Sequence, residues 1–487
     1  MPDPDVNDPT EDGEEGVAPF EPPYRLDVTD KVGAILAEFG HLDDGEETDR
    51  TVTVAGRVML LRDQGRLAFA TLREGSSGDE IQLFALSKVL DGFDRFVKLN
   101  LGDWIGATGE VVRTKRGELS IKVTSFVLLA QARRGFGDKF HGITDTDLRY
   151  RQRYADLWAN PDAAVALRAR SRIVSLTRRW LEDRGFVEVE TPVLQHVASG
   201  AAATPFTTHH NALDIDLKLR IAPELFLKRL VVGGFERVFE IGRVFRNEGI
   251  STRHNPEFTM LELYQAYADY GDIMVLVEEL VAHLATELHG TTVLTYDDRE
   301  MDLSTPWRRA SMVELIDDAI GVRLDVGQPI DEVRAVATEH GIEVQESWGT
   351  GKLILEIYEK TTEHGLWGPI FVTDYPEEVS PLSRAHREVP GVTERFEAIV
   401  AGRELCNAFS ELVDPDVQRA RFEDQVRQKD AGDHEAMALD EDYLRAMEYG
   451  LPPTGGLGIG VDRLVMLLTG TTSIRDVVLF PTLKPEQ

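Results

Sequence analysis

Hydrophobic and polar positions along the chain follow two regimes. Between residues 51 and 130 the apolar positions alternate or run together in short β-branched stretches: VTVAGRVMLL (52–61), RLAFATLRE (66–74), DEIQLFAL (79–86), DWIGATGEVVRT (103–114) and ELSIKVTSFVLLA (118–130), with Gly, Asp and Ser between them. A side-chain period of two predicts a strand for each. A helical stretch, VLDGFDRFVKL, falls between the third and fourth. After ARRGFGDKFHGITDTDLR (132–149), which reads as a linker, the period changes. YRQRYADLW and AAVALRARSRIVSLTRRWLEDRG carry apolar residues at helical spacing. From Phe186 onward, strand and helix patterns alternate to the end.

The pattern predicts an α+β protein: an N-terminal five-stranded OB-type β-barrel at 51–137, then a large domain at 138–487. Another small barrel or sandwich would give a similar strand pattern. Residues 1–20 are acidic and rich in Pro and Gly and read as a disordered tail; 21–50 form an N-terminal extension.

Charge sharpens this division. The net charge is −32, which argues against general nucleic-acid and DNA binding, because phosphate contacts need Lys and Arg. The imbalance is uneven. Residues 1–50 hold 3 basic and 16 acidic side chains, whereas 51–137 hold 13 basic and 9 acidic. The barrel segment can therefore meet an RNA backbone while the body does other work, although so small an excess is ordinary by itself. No apolar run is long enough to span a membrane. The N-terminus lacks the basic and apolar regions of a signal peptide. One cysteine, Cys406, excludes an internal disulfide and a cysteine-only zinc site. These features suit a reduced, cytoplasmic chain.

Three stretches of the large domain carry chemistry. GFVEVETPVL (185–194) runs a strand into Pro192, a weak signal alone. ERVFEIGRVFRNEGISTRHNPEFTMLELYQAYADY (236–270) places two apolar strands around a polar loop. Arg246 and Glu248 lie near the end of the first strand, Arg253, His254 and Asn255 in the loop, and Phe258, Glu262 and Tyr264 on the return. Glu262 and Tyr264 share a strand face. A solvated hairpin could carry such charges, but FEIGRVF and FTMLELY are too apolar for exposure, so buried charges here need partners. GLGIGVDRLVMLLTG (456–470) alternates Gly456, Gly458 and Gly460 along a strand that enters a helix. Glycines at that spacing leave one face bare for a flat ligand, and Arg463 adds a cation at the helix N-terminus. Upstream, in AGRELCNAFSEL (401–412), Asn407, Phe409 and Glu411 would share a strand face. Glu404 and Glu411 suggest Mg²⁺ carried with phosphates, though two Glu seven residues apart mean little alone.

Taken in order, the three stretches resemble the motifs of class II aminoacyl-tRNA synthetases: Pro192 the first, FRNE (245–248) the second and GLGIGVDR (456–463) the third. HGITDTDLRYRQRYADL, SGAAATPFTTHHNALD and LRIAPELFLKRLVVGG are further similar to the bacterial-type lysyl-tRNA synthetase family. The likeness runs from about residue 51 to the end; the family's opening helix is shortened here. The resemblance implies lysine, ATP and tRNA(Lys) as substrates, a homodimer, and the class II fold, an antiparallel sheet flanked by helices. It implies that Arg246 holds the amino-acid carboxylate and the α-phosphate, and Arg463 the terminal phosphate. Phe258 would stack on adenine, with Glu248, His254 and Asn255 around the nucleotide, and Glu404 and Glu411 would bind Mg²⁺. Glu224 would take the α-ammonium, with Gly200 giving it room. Glu262, Tyr264 and Glu411 would receive the ε-ammonium in a pocket completed by Asn407, Phe409 and Gly458. Phe69, Gln82 and Glu118 would stack on and read anticodon bases. Ser199, Thr204 and Cys406 depart from the family's common Gly, Arg and Gly.

The resemblance implies adenylate formation followed by transfer to the tRNA 3′ end. An aspartyl or asparaginyl synthetase shares the scaffold, but acidic and hydroxyl groups at Glu262, Tyr264 and Glu411 suit a cation better. A ligase that lysylates protein would lack the barrel, and a non-catalytic paralogue acting as a binding subunit would be expected to lose the motif residues.

Overall fold

The computed structural model describes residues 21–75, 77–134, 142–160, 162–430 and 437–486. The expected acidic tail (1–20) and part of the expected linker lie outside them. The described chain forms two compact units: the first runs to Arg149 and takes in 154–161, and the second comprises Tyr150–Arg153 and the chain from Asp162 onward.

In the first unit, α1 (Val32–Phe39) precedes five strands: β1 (Glu47–Asp63), β2 (Leu67–Arg73), β3 (Glu80–Leu86), β4 (Trp104–Arg113) and β5 (Leu119–Ala130). They close into a barrel in the order β1-β2-β3-β5-β4, with β3 and β5 parallel. The alternation read from sequence is the barrel's inside and outside. Val52, Val54, Ala68, Ala70, Leu72, Ile81, Leu83 and Ala85 point inward and are buried. The helical stretch expected before β4 is a single turn, Phe93–Phe96, whose two phenylalanines are buried against the same core. Val32 and Ile35, one helical turn apart, attach α1 there as well.

The second unit is organised by an eight-stranded sheet: β6 (Val187–Glu188), β7 (Arg237–Phe245), β8 (Glu257–Ala266), β9 (Arg308–Ser311), β10 (Ile370–Thr373), β11 (Arg395–Val400), β12 (Arg403–Ser410) and β13 (Thr454–Gly460). Their order is β9-β10-β11-β12-β13-β8-β7-β6, antiparallel except for the outermost pair at each edge. One face of the sheet is covered by apolar faces of three helices: α2 (Ala163–Glu182), α4 (Tyr270–His289) and α9 (Val461–Thr469), with α3 (Glu224–Val232) belonging elsewhere. Ile173, Leu176, Val277, Leu280, Leu284, Val465 and Leu468 meet Phe239, Leu261, Leu263, Cys406, Leu457 and Ile459 in this core. Capping fixes where α4 begins and ends: Asp269 and Asp272 form a reciprocal capping box, and left-handed Gly290 stops the helix. Helices α5 (Met312–Ile320), α6 (Ile330–Glu339) and α7 (Thr350–Thr361) build a second core against β10. A further helix, α8 (Glu441–Glu448), follows before β13.

Candidate active site

The opposite sheet face, where Leu227 and Val231 of α3 pack against Val238 and Tyr264, is set by register across three adjacent strands. On β13, Gly456 pairs with Tyr264 of β8 on one side and Phe409 of β12 on the other; Gly458 pairs with Glu262 and Asn407. The missing side chains of these glycines leave room on this face for Tyr264, Glu262, Phe409 and Asn407 of the neighbouring strands. A Cβ on Gly456 would collide with Glu411 Oε1 and lie 2.6 Å from Tyr264 Cε1. Gly200, with φ +93°, approaches from a loop; a side chain there would sit 3.2 Å from Glu224 Cβ.

On this face lies a closed acidic cluster. Glu224, at the first turn of α3, and Glu262 and Glu411 are 7%, 3% and 1% exposed. Lys228, one turn after Glu224, is fully buried and places Nζ 2.5 Å from Glu224 Oε1 and against Glu411 Oε2. That second contact is an ion pair, and Glu411 Oε1 has no hydrogen-bond partner among the described residues. Tyr264 donates its hydroxyl to Glu262 Oε2 at 3.1 Å. Burial, then the neighbouring Glu224, lifts the Glu262 carboxyl to about 8. Burial likewise pushes Glu411 well above the carboxylate range, against the pull of Lys228. Three buried carboxyls facing one internal cation leave an unmet demand for positive charge.

A nucleotide-sized set of side chains lies farther along the same face. Arg246 follows β7, with its guanidinium 5.1 Å from the Phe258 ring centre and its Nε buried without a hydrogen-bond partner among the described residues. Burial lowers its pKa, opposed by Glu248, Glu404 and Glu262 around it. Arg463, in the first turn of α9, donates Nη1 to Glu404 Oε2 at 2.9 Å and to the Glu404 carbonyl at 2.7 Å. Burial would raise the Glu404 carboxyl, but Arg463 outweighs it and holds the group below its ordinary value. Glu248 and His254 are exposed around this space, and burial followed by Arg463 lowers the His254 imidazole. Asn255 is buried; its amide donates to the Glu257 carbonyl at 2.6 Å and accepts from Thr482 N at 3.1 Å, bracing the loop and leaving one N–H.

Glu404 reaches this face through an irregularity. Ala398 pairs with Cys406 but Ile399 with Glu404, so Leu405 is an extra residue in β12. Leu405 and Cys406 both turn into the core, and Glu404 returns to the face of Asn407. Cys406 is a small core hydrophobe whose thiol burial pushes up. Of the other departures, Ser199 donates to the Ala438 carbonyl at 3.2 Å and the Thr204 carbonyl accepts from Asn247 N at 2.8 Å.

The two carboxylates expected to share a metal face different cations: Glu404 faces Arg463, and Glu411 faces Lys228. Among the described residues no three His, Cys, Asp or Glu side chains converge on a cation site. Glu404 alone, 40% exposed and held ionised, fits the role of a single oxygen donor to an ion that brings most of its ligands with it.

On the barrel, Phe69 of β2 and Gln82 of β3 share the outer surface, and Glu118 is exposed in the turn before β5. Phe69 stacks on Phe84, its cross-strand partner, with ring centres 5.5 Å apart. Gln82 donates to Ser120 Oγ at 2.9 Å.

Sequence reasoning missed Lys228, Phe84 and Arg395. Arg395 donates Nε to Asn407 Oδ1 at 2.9 Å and is itself held by Glu397, Val379 and Ser380. Arginine can only donate, so it turns the Asn407 amide nitrogen toward the site.

Comparison with known proteins places this geometry. Residues 145–484 match the class II tRNA synthetase family of the D, K and N type, and residues 52–129 match the OB-fold nucleic acid binding domain. The lysine–tRNA ligase of Moorella thermoacetica is 51% identical over 97% of this chain and 96% of its own length. That of Synechococcus sp. strain CC9605 is 52% identical over 95% and 94%, and that of Bacillus subtilis 49% over 96% and 94%. With half of its positions shared over nearly the full length of these relatives, the chain belongs to the class II tRNA synthetases, in their lysine–tRNA ligase family.

Proposed function

We infer that the protein is an ATP-dependent lysine–tRNA ligase. The observation that carries lysine is the closed cluster of Glu224, Glu262 and Glu411, where Glu411 Oε1 lies over Gly456 without a hydrogen-bond partner among the described residues. Such a cluster draws a cation and repels the acidic or amide side chain of an aspartyl or asparaginyl substrate. In this reading Glu224 takes the α-ammonium beside Gly200. Glu262, Tyr264 and Glu411 receive the ε-ammonium, while Phe409 and Gly458 line the aliphatic chain. Asn407, oriented by Arg395, offers its N–H to the carboxylate.

Arg246 sits where it can hold the lysine carboxylate and the α-phosphate together. The lysine carboxylate oxygen attacks the α-phosphorus and pyrophosphate leaves, giving lysyl-adenylate. The nucleophile is already an anion, so this step needs positioning and positive charge rather than a base. Arg246 offsets charge at the α-phosphate and Arg463 at the terminal phosphate. Phe258 offers a ring to adenine, with Glu248, His254 and the Asn255 loop around the nucleotide. A Mg²⁺ ion carried by the phosphates, with Glu404 as its protein donor, would supply further charge neutralisation. The 3′-terminal ribose hydroxyl of tRNA(Lys) then attacks the lysyl carbonyl and AMP leaves. On the barrel, Phe69 and Phe84 form a stacking platform for anticodon bases, with Gln82 and Glu118 as polar readers; each stacked base contributes roughly 1–3 kcal/mol.

The homodimer is supported by the edge of the sheet, where Val187 of β6 and nearby Leu194 are both 48% exposed. No described helix is long and apolar enough to cross a membrane, and the single cysteine is buried; both suit work in the cytoplasm.

The test is ATP–pyrophosphate exchange with each of the twenty amino acids. Exchange with lysine alone is the expected result. Exchange with aspartate or asparagine would reverse the reading of Glu262 and Glu411, and no exchange at all would favour a binding subunit. A second expectation concerns the glycines: Gly456→Ala should raise the lysine KM by about 10–200-fold, the range for one misplaced methyl group in a pocket. An unchanged KM would show that the pocket does not run over Gly456.

A further inference from the structure

Lys228 is the one cation inside the acidic cluster, and no role in the reaction as described uses it. It occupies the second turn of α3 on a helix face that also buries Leu225, Leu227 and Val231, and its own exposure is 0%. Its Nζ lies 2.5 Å from Glu224 Oε1 and in ion-pair contact with Glu411 Oε2. The faces of Tyr264 and Phe409 flank it, with ring centres 5.8 and 5.3 Å away. An ammonium enclosed this way cannot swing out to solvent, and burying it is costly unless both carboxylates stay in place.

The two carboxylates it bridges are those assigned to opposite ends of the amino acid. Glu224 comes from a helix and Glu411 from the end of β12, so no backbone ladder joins them. Buried carboxylates repel across a low-dielectric space, and a cation between them opposes that repulsion. We propose that Lys228 is a specificity-positioning residue: its ammonium ties Glu224 to Glu411 and so fixes the length of the diammonium substrate that the pocket accepts. This rests on the lysine-ligase reading of the site. The charges also balance. Once substrate binding has ionised all three carboxyls, they, Lys228 and Arg246 together leave one net negative charge for a substrate with two ammonium groups and one carboxylate. A buried ion pair serving the core alone would tie the same atoms but would leave chain-length discrimination unaffected.

The experiment compares wild type with Lys228→Met, which keeps the length and removes the charge. ATP–pyrophosphate exchange is measured with lysine, with ornithine (one methylene shorter) and with homolysine (one longer), after circular dichroism has established folding. The expected result is a lysine KM raised at least tenfold, kcat within about threefold, and the lysine-to-ornithine or lysine-to-homolysine ratio of kcat/KM reduced at least fivefold. Lys228→Gln, whose amide cannot neutralise both carboxylates, should move the ratios in the same direction and serves if the methionine variant does not fold. Ratios within twofold of wild type, or an equal loss of kcat for all three substrates, overturn the proposal. Failure of both variants to fold assigns Lys228 to the core and overturns it too. Absence of lysine-dependent exchange in wild type would instead reject the underlying reading of the site.

Discussion

Replacing Arg463 with alanine is expected to lower lysine-dependent ATP–pyrophosphate exchange by about 10³-fold or more, the scale found for arginines that neutralise transferring phosphates. Its neighbours make the outcome specific. Arg463 is one-third exposed, and its bonds go only to the carboxylate and carbonyl of Glu404. Losing them leaves a carboxylate that is itself 40% exposed. Asp462, one residue earlier, has the opposite character. It is 2% exposed, pairs with Arg170 at 2.5 Å and accepts from Thr259 N at 2.8 Å, pinning α9 to α2 and β8. Arg463→Ala should therefore stay folded and bind lysine normally while failing to form adenylate, whereas Asp462→Ala should lose more stability. Exchange at the wild-type rate in Arg463→Ala would remove the phosphate role from this residue.

The sequence carried most of the barrel and the pocket because both depend on period two. Alternation alone placed Glu262 with Tyr264 and Asn407 with Phe409, and Gly456 and Gly458 as the bare positions between them. Three features were less legible. Lys228 stands four residues after Glu224 in a short helix, where a lysine ordinarily reads as a solvated i,i+4 partner; only Glu411, far along the chain, makes it a buried one. Arg395 works through Asn407, so its importance depends on a cross-strand register that local patterning does not contain. The bulge at Leu405 did leave a trace. Leu405 and Cys406 are consecutive apolar residues in an otherwise alternating strand, and the extra residue is what brings Glu404 onto the face of Asn407.

Glu262→Gln should weaken the pH dependence of lysine recognition. In wild type, burial followed by the Glu224 charge raises the Glu262 carboxyl to about 8, so without substrate it is mostly protonated at neutral pH. A bound ε-ammonium, with a pKa of ~10.4, favours the carboxylate, so lysine binding expels the proton. The lysine KM should then fall as pH rises, by up to about tenfold per unit below pH 8, and level off above it. The glutamine variant should show a shallower profile, its remainder set by the raised Glu224 and Glu411 carboxyls, and a KM raised by about 100-fold or more, because an ammonium would be buried opposite a neutral amide. Stability gives an independent sign. The folded pKa lies above the ordinary value of 4.5, so this group's contribution is fully present below that pH and is lost as pH rises through 8. At about pH 8.5 the ligand-free wild type should melt below Glu262→Gln, whose amide still accepts from Tyr264. Saturating lysine should invert that order, since only wild type offers the cation a charged partner. If the two proteins keep the same order with and without lysine, Glu262 does not receive the ε-ammonium.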